Sequence, residues 1–455
     1  TDDPEQIDLL IALGEAQRRA GHPAHRETLL DAAGRARQRN DADALARAAL
    51  ANCRGSMTSN AGRLDPERNE ALEAALELAG DADSPTRARL MAHHALEQSW
   101  TGDLTEIKRL TGEATAMARR LGDPATLADV LLTSFYPLYA PSTIQQRLDH
   151  TDELLTLTEE LGDRRIALHA YHHRIRAAME LGDLAEAERC IERQRSLAAE
   201  IGEPTMLWMA AINGVGVPLA AGELAVVEES SIAGLAMAQD AQPDAQTIYA
   251  AQMLVVRYEQ GRLEEVLPMF VELAADPDFK VPAAEAITAF IYCELDRPDE
   301  ARPHYEAVAA DRFAGIRFDH LWLMSLAVSA EAAVRLGDSE SALVLSDLMA
   351  PYSDLIVTLH SWNWNCVTHY LGLLATGLGR YEEADAHFQA TVERQLRLGT
   401  PAWLAHTRLE WARMLLARRA PGDEEQARGL LSQALAAARD LGLANVERRT
   451  VALMQ

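Results

Sequence analysis

"ARRLGDP" (residues 118–124), "TEELGDR" (158–164) and "AAEIGEP" (198–204) state one phrase three times. Each closes an amphipathic segment with an aliphatic residue, a glycine and an acid, and Gly122, Gly162 and Gly202 stand forty residues apart. Glycine is the residue best suited to the left-handed position that ends a helix. A second phrase interleaves with the first: "TGDL" (101–104), "LGDL" (181–184), "AGEL" (221–224) and "QGRL" (260–263), with degenerate copies in "RLGDSESA" (335–342) and "LGRYEEA" (378–384). One such turn is common; a series in phase is a repeat.

Two helices per forty residues then alternate with short turns. First helices are expected near 84–100, 124–139, 164–181, 205–221, 243–260, 281–295, 319–336 and 361–378, with their partners between. A two-helix unit cannot bury its apolar face alone, so each stacks on the next. The expected fold is all-α, a right-handed superhelical α-solenoid of about eleven helix pairs. It runs as one continuous array over 1–455, with divergent repeats at 1–83, central repeats at 84–350 and C-terminal repeats at 351–455. No linker rich in Pro, Gly and Ser divides it, although "ADPDFKVP" (275–282) and "MAPYSDL" (349–355) lengthen local turns.

Composition points the same way. At 455 residues the chain exceeds one compact core. Ala, Leu, Arg and Glu dominate and favour helix, only 5% of residues are aromatic, and β-branched runs are short. The net charge of −26, from 43 basic against 69 acidic residues, repels nucleic acid and anionic membrane. Direct nucleic-acid binding by this segment and membrane association are therefore not expected. Four cysteines (Cys53, Cys190, Cys293, Cys366) without CxxC spacing suit a reducing cytoplasm. No signal peptide or long apolar run is read. The chain begins at Thr1 without methionine and ends in the helix-like "LANVERRTVALMQ", so it is expected to be a piece of something larger.

In "THYLGLLATGLGRYEEADAHFQAT" (368–391) the pair Leu371-Gly372, the turn Gly379, Tyr381, Ala384 and Phe388 carry a family likeness. The stretch resembles the tetratricopeptide repeat, matching its Leu-Gly packing pair, its turn, its small aromatic position, the alanine where helices touch and its second-helix aromatic. Thr391 stands in place of an alanine, and the period is forty rather than about thirty-four. "GTPAWLAHTRLEWARMLLARRAPGDEEQARGLLSQALAAARDLGL" (399–443) is similar to the end of the helical-repeat domain in actinobacterial ATPase-type (STAND-like) signalling proteins. There a P-loop ATPase precedes tetratricopeptide repeats, often fused to a cyclase or to a winged or LuxR-type DNA-binding domain. "PYSDLIVTLH" (351–360) and "WLMSLAVSAEAAVRLGD" (322–338) look like the same group. Neither a GxxxxGK[ST] loop nor a helix-turn-helix is present, so the resemblance implies the sensor or regulatory arm alone.

The resemblance also implies that first helices line a concave surface. Counted back from Gly379, the inward positions are Cys366, His369, Leu373 and Thr376, with Trp362 one turn earlier on the same stripe and Trp364 in the core. Counted from Gly182 they are His169, His172 and Arg176; from Gly222, Met209, Ile212 and Gly216, with Asn213 beside them. Spacing puts Tyr136 and Tyr139 inward in the preceding pair, and His320 and Glu331 inward before Gly337. Tyr136, Tyr139, His169, His172, Arg176, Met209, Asn213, Trp362 and His369 are thus the expected ligand- or partner-binding residues. Such a surface suits a partly apolar ligand with a few oriented polar groups. The competing reading is packing, the usual role of aromatics on a helical stripe.

Other chemistry is weaker. His93-His94 and "HAYHH" (169–173) invite a metal, since His169 and His173 share a helix face, but no HExxH and no third ligand follow. Cys366 with His369 could form a nucleophilic pair, yet nothing supplies an oxyanion hole or an orienting acid. No metal, no cofactor and no enzyme are expected. In "AINGVGVPLAAG" (211–222) and "FYPLYAP" (135–141), Gly and Pro inside helices predict kinks. The expected function is a non-catalytic regulatory or sensor domain. It would bind a small molecule, peptide or partner protein in its concave groove and control an attached signalling ATPase or transcription regulator. The alternative is a passive interaction scaffold or a homodimerisation domain.

Overall fold

The computed structural model describes the chain except residues 1–3, 58–61, 101, 239–241, 243, 278, 280, 360 and 361, and at Trp362 it describes the backbone alone. Helices follow one another in pairs. In the first third, α1 (Pro4–Arg19) pairs with α2 (His25–Gln38), α3 (Ala42–Ala51) with α4 (Pro66–Ala79), α5 (Pro85–Glu97) with α6 (Leu104–Leu121) and α7 (Pro124–Thr133) with α8 (Ile144–Leu161). Next come α9 (Arg164–Leu181) with α10 (Leu184–Ile201), and α11 (Pro204–Asn213) and α12 (Gly216–Ala221) with α13 (Leu224–Ala238). They are followed by α14 (Ala245–Glu259) with α15 (Leu267–Ala275), α16 (Pro282–Glu294) with α17 (Pro298–Ala309), and α18 (Trp322–Leu336) with α19 (Ser339–Met349). A hairpin of β1 (Ile356–Leu359) and β2 (Trp362–Cys366) intervenes. The chain closes with α20 (Val367–Gly377) and α21 (Tyr381–Leu398), α22 (Pro401–Arg418) and α23 (Asp423–Leu441), and a last helix, α24 (Ala444–Met454).

The repeated Gly-Asp phrase builds the turns with two residues. Gly122, Gly162, Gly182 and Gly337 end their helices in the left-handed region, at φ of 67°, 65°, 79° and 72°. The aspartate that follows caps the next helix: Asp123 accepts from the Thr126 amide, Asp163 from Ile166, Asp183 from Glu186 and Asp338 from Ser341, at 3.0–3.1 Å. One residue stops a helix and the next starts another. Gly102 is the exception, because a 3-10 turn (Gln98–Trp100) ends that helix and Gly102 keeps an ordinary backbone angle.

Several sequence expectations are corrected. The helix expected over 361–378 starts only at Val367. Before it, β-branched Ile356, Val357 and Thr358 pair with Trp362–Cys366 as an antiparallel ribbon, and Trp364, unmatched between Asn363 and Asn365, is the extra residue of a bulge. A two-stranded ribbon needs packing to persist, and this one packs on α9, α12 and α18. Among the described residues the regular structure is therefore helical but for this hairpin and one isolated bridge between Arg54 and Met57. The helix expected over 124–139 stops at Thr133 ahead of Pro137, which disfavours helix in the residue before it. The one over 319–336 starts at Trp322 and leaves His320 in the preceding turn. The expected kink is real: the helix over 204–221 breaks between Asn213 and Gly216. That stretch is also long and apolar enough to cross a membrane, contrary to the reading of no long apolar run, but over half of it is buried in the core.

Stacking on the next neighbour alone is corrected too. Arg317 donates to the carbonyls of Ser99 and Gly102, Asn363 to that of Met179 and Arg394 to that of Leu181, at 2.7–3.1 Å. Arg54 pairs with Asp244 at 2.7 Å. These partners lie 184–218 residues apart, which is about five units of the forty-residue period. One superhelical turn therefore lies directly on the next, and the largest apolar cluster runs from Met57 to Val446.

Where helices meet within a pair, space is limiting. A Cβ on Gly372 would lie 2.8 Å from the Phe388 ring. Gly372→Leu should cost about 1–3 kcal/mol by overpacking, and exposed Glu382→Gln should stay within about 0.5 kcal/mol. Urea denaturation of the two variants checks the register, and equal effects would contradict it.

Candidate functional site

The expected open groove is a filled lumen. Tyr139, His169, His172, Arg176, Met209, Asn213 and His369 are all buried, and Tyr136 is half-buried. They face inward, where side chains from other parts of the superhelix cover them. The side chain of Trp362 lies outside the described residues, and its backbone belongs to β2 rather than to a helical stripe. Trp364 is core, beside Tyr258 and Phe290 at ring distances of 5.8 and 5.5 Å.

One end of the lumen gathers Tyr136, Tyr139 and Arg176. The Arg176 guanidinium donates to the Tyr136 hydroxyl and sits 5.0 and 5.5 Å from the Tyr136 and Tyr139 rings. Arg147 lies 4.0 Å over the Tyr139 ring and pairs with Glu180 at 2.7 Å. His320 closes the group, with its ring 4.7 Å from Trp100 and 5.6 Å from both tyrosines.

The histidines of "HAYHH" do not converge. His169 bonds to the Ser56 hydroxyl at 2.8 Å, His172 accepts from the Asn213 amide at 2.8 Å, and His173 stacks on Phe135 at 4.0 Å. The same Asn213 amide donates to Gln194. Burial pushes His169 down to about 4 and His173 well below the usual range. Met209 fills core without a polar role.

The other end holds charge. Inner helices place Glu259 (α14), Glu294 (α16), Glu331 (α18) and Glu410 (α22) inside the molecule, each 5–7% exposed. Glu259 bonds to His406 through both oxygens at 2.8 and 3.0 Å. Arg335 and Arg449 serve Glu294, and Arg449 and Arg413 serve Glu410. Burial alone would raise Glu410; Arg413 and Arg449 instead hold it down to about 2. Burial pushes Glu331 up to about 7, with the Glu294 carboxylate adding to it. Burial opposes a charge on His406, and the Glu259 carboxylate outweighs it and raises that imidazole.

Between these groups lies a cavity lined by Tyr258, Glu259, Glu331, Trp364, Trp403 and His406, among others. About 10 Å³ is open to the centre of a water-sized sphere, room for one water molecule. His369 also lines it and bonds to Thr407 at 3.0 Å. Burial pushes the Cys366 thiol up to about 11 and the His369 imidazole down to about 3. An activated pair needs a lowered thiol and a basic partner. These shifts run the opposite way.

Sequence reasoning reached His369 and Glu331 but missed Arg147, Glu180, Glu259, Glu294, Glu410 and Arg449. A signal existed. "MELGDL" (179–184), "YEQGRL" (258–263) and "CELDRP" (293–298) each set a glutamate two residues before the left-handed residue, Gly182, Gly261 or Asp296. The repeat phrase carries three of the lumen's acids as well as its turns.

Compared with known protein families the chain matches none, and no curated protein matches it. Among solved structures it is similar to one described as a "circular tandem repeat protein with novel repeat topology and enhanced subunit contact surfaces". Identity is 14% over 98% of each chain, at a TM-score of 0.15. The repeat architecture thus rests on this chain's own consecutive helix pairs.

Glu331 carries a pH signature. Its folded pKa is raised, so it contributes stability that is complete below about 4.5 and lost as pH rises to about 7. In sodium buffers Glu331→Gln should match the wild type near pH 4.5 and exceed its stability by roughly 1–3 kcal/mol at pH 8. Urea midpoints across that range test this, and a pH-independent difference would contradict it.

Proposed function

We propose that this chain is a non-catalytic regulatory solenoid that binds a small molecule, a peptide or a partner protein through its inner surface. Binding would shift it between the closed form described above and an opened one, and would thereby control an attached signalling module. The observation that carries this reading is the charged lumen. Buried ion pairs contribute little net stability compared with apolar packing of the same volume, whereas a surface that is intermittently wetted needs polar groups. Closure by polar clasps such as Arg317 on Ser99 and Gly102 supports a bistable element. The likeness of residues 368–391 to the tetratricopeptide repeat, and of 399–443 to STAND-like ATPase regulators, supports the role of sensor arm. Four free, buried cysteines and the charge of −26 support a cytoplasmic protein that does not contact nucleic acid directly.

Native-state hydrogen exchange tests the switch. Amides of α9, the hairpin and α14 should exchange through a partial opening at a free energy below that of global unfolding. Exchange there only on global unfolding would mean permanent closure and would end this reading.

One observation favours a second reading, a passive scaffold or homodimer. The outer face of α13 exposes Val226, Ile232 and Met237, at 47%, 51% and 41%, with Ala225, Ala233 and Ala236 between them. Native mass spectrometry of the purified chain distinguishes the two: a dimer dispersed by Ile232→Glu would support the scaffold, and a monomer retaining a small molecule would support the sensor.

A further inference from the structure

At the second end of the lumen three of the four acids have ion-pair partners. Glu259 faces His406, while Glu294 and Glu410 face Arg335, Arg413 and Arg449. The fourth carboxylate has none of its own. Glu331 is 7% exposed, lines the cavity, and makes no side-chain hydrogen bond or ion pair with any described residue. An acid in that position is costly when ionised unless a positive guest joins it.

The walls define the guest. Tyr258, Trp364, Tyr370 and Trp403 line the cavity together with the two carboxylates, and ring faces attract cations. The free space admits one particle the size of water. Hard metal ions prefer six or more oxygens, and among the described residues no three His, Cys, Asp or Glu gather to hold a metal. A cation that donates hydrogen bonds and accepts ring faces meets each condition. We propose that the lumen cavity at Glu331 binds a small ammonium-class cation, which pairs with that carboxylate and holds the two superhelical turns closed.

A proton competes for the same carboxylate, since burial pushes Glu331 up to about 7. Of the other groups around it, Glu410 is held down to about 2, His369 is pushed down to about 3, and Tyr258 and Tyr370 are raised well above their usual value, while Arg335 and Arg449 outweigh burial to lower Glu294 and the Glu259 carboxylate outweighs burial to raise His406. The arginines Arg335 and Arg449 stay charged. The inference rests on the lumen being the ligand-facing surface. Its test reads cation binding directly, while hydrogen exchange reads opening, so either can fail alone.

The experiment is a set of thermal scans of the full chain at pH 8 with ammonium, sodium, potassium or tetramethylammonium chloride at matched ionic strength. Ammonium should raise Tm saturably. Sodium and potassium should act only as salt, and tetramethylammonium, too large for the cavity, should do the same. Glu331→Gln should raise the half-saturating ammonium concentration at least about tenfold, the loss of one charge-assisted contact. A response to ammonium equal to that of sodium, or an unchanged response in Glu331→Gln, overturns the proposal. Should that variant fail to fold, the wild type decides. Its half-saturating concentration should rise about tenfold from pH 8 to pH 6 through proton competition, and a constant value overturns the site.

Discussion

The structure depends on one constraint: the second superhelical turn lies on the first, and a polar inner surface is thereby taken out of water. A buried polar group without a partner costs free energy comparable to a lost hydrogen bond or more. Inner side chains that adjacent repeats do not satisfy therefore find counterparts 113–184 residues away along the chain. His169 finds Ser56, Asn363 finds the Met179 carbonyl, and Glu259 finds His406. Local repeat chemistry sets the curvature, but these pairings across turns decide that the lumen is closed.

The hairpin follows from the same constraint. A continuous helix over 361–378 would carry its side chains around all sides, whereas a ribbon is thin enough to lie among α9, α12 and α18 while its backbone groups pair across the two strands. Its polar residues then serve the lining. Asn363 reaches α9, and Asn365 accepts from Gln395 of α21 and from the Cys366 amide. Trp364, displaced by the bulge, packs among the aromatic residues of α14 and α16. The odd composition of "NWNC" (363–366) thus has a physical cause: it is a lumen filler rather than part of a repeat.

Much of this was legible in the sequence because the turn chemistry is local. Glycine in the left-handed region and aspartate as a cap act within a few residues of one another, so the pairs and their period could be counted. The inward direction of His169, His172, Arg176 and Asn213 was legible for the same reason. What could not be read is distance along the superhelix. Nothing within forty residues of Arg317 announces that it will reach the carbonyls of Ser99 and Gly102, and nothing near Glu259 points to His406. A groove was expected where a lumen exists, because closure is a sum of contacts 147–218 residues apart.

Electrostatics gives the closed form its sensitivity. Four glutamates lie close to Arg335, Arg413, Arg449, His369 and His406 in one largely buried volume, so a single added charge is felt across it. The most direct test of closure is pulsed electron paramagnetic resonance between spin labels placed on exposed Ala185, just past α9, and Leu396 of α21. The four native cysteines are buried and do not compete for label. These positions flank the contact of Arg394 with the Leu181 carbonyl. A closed lumen predicts one short, narrow distance distribution. A broad distribution at long distances in the resting protein would contradict it and restore an open groove.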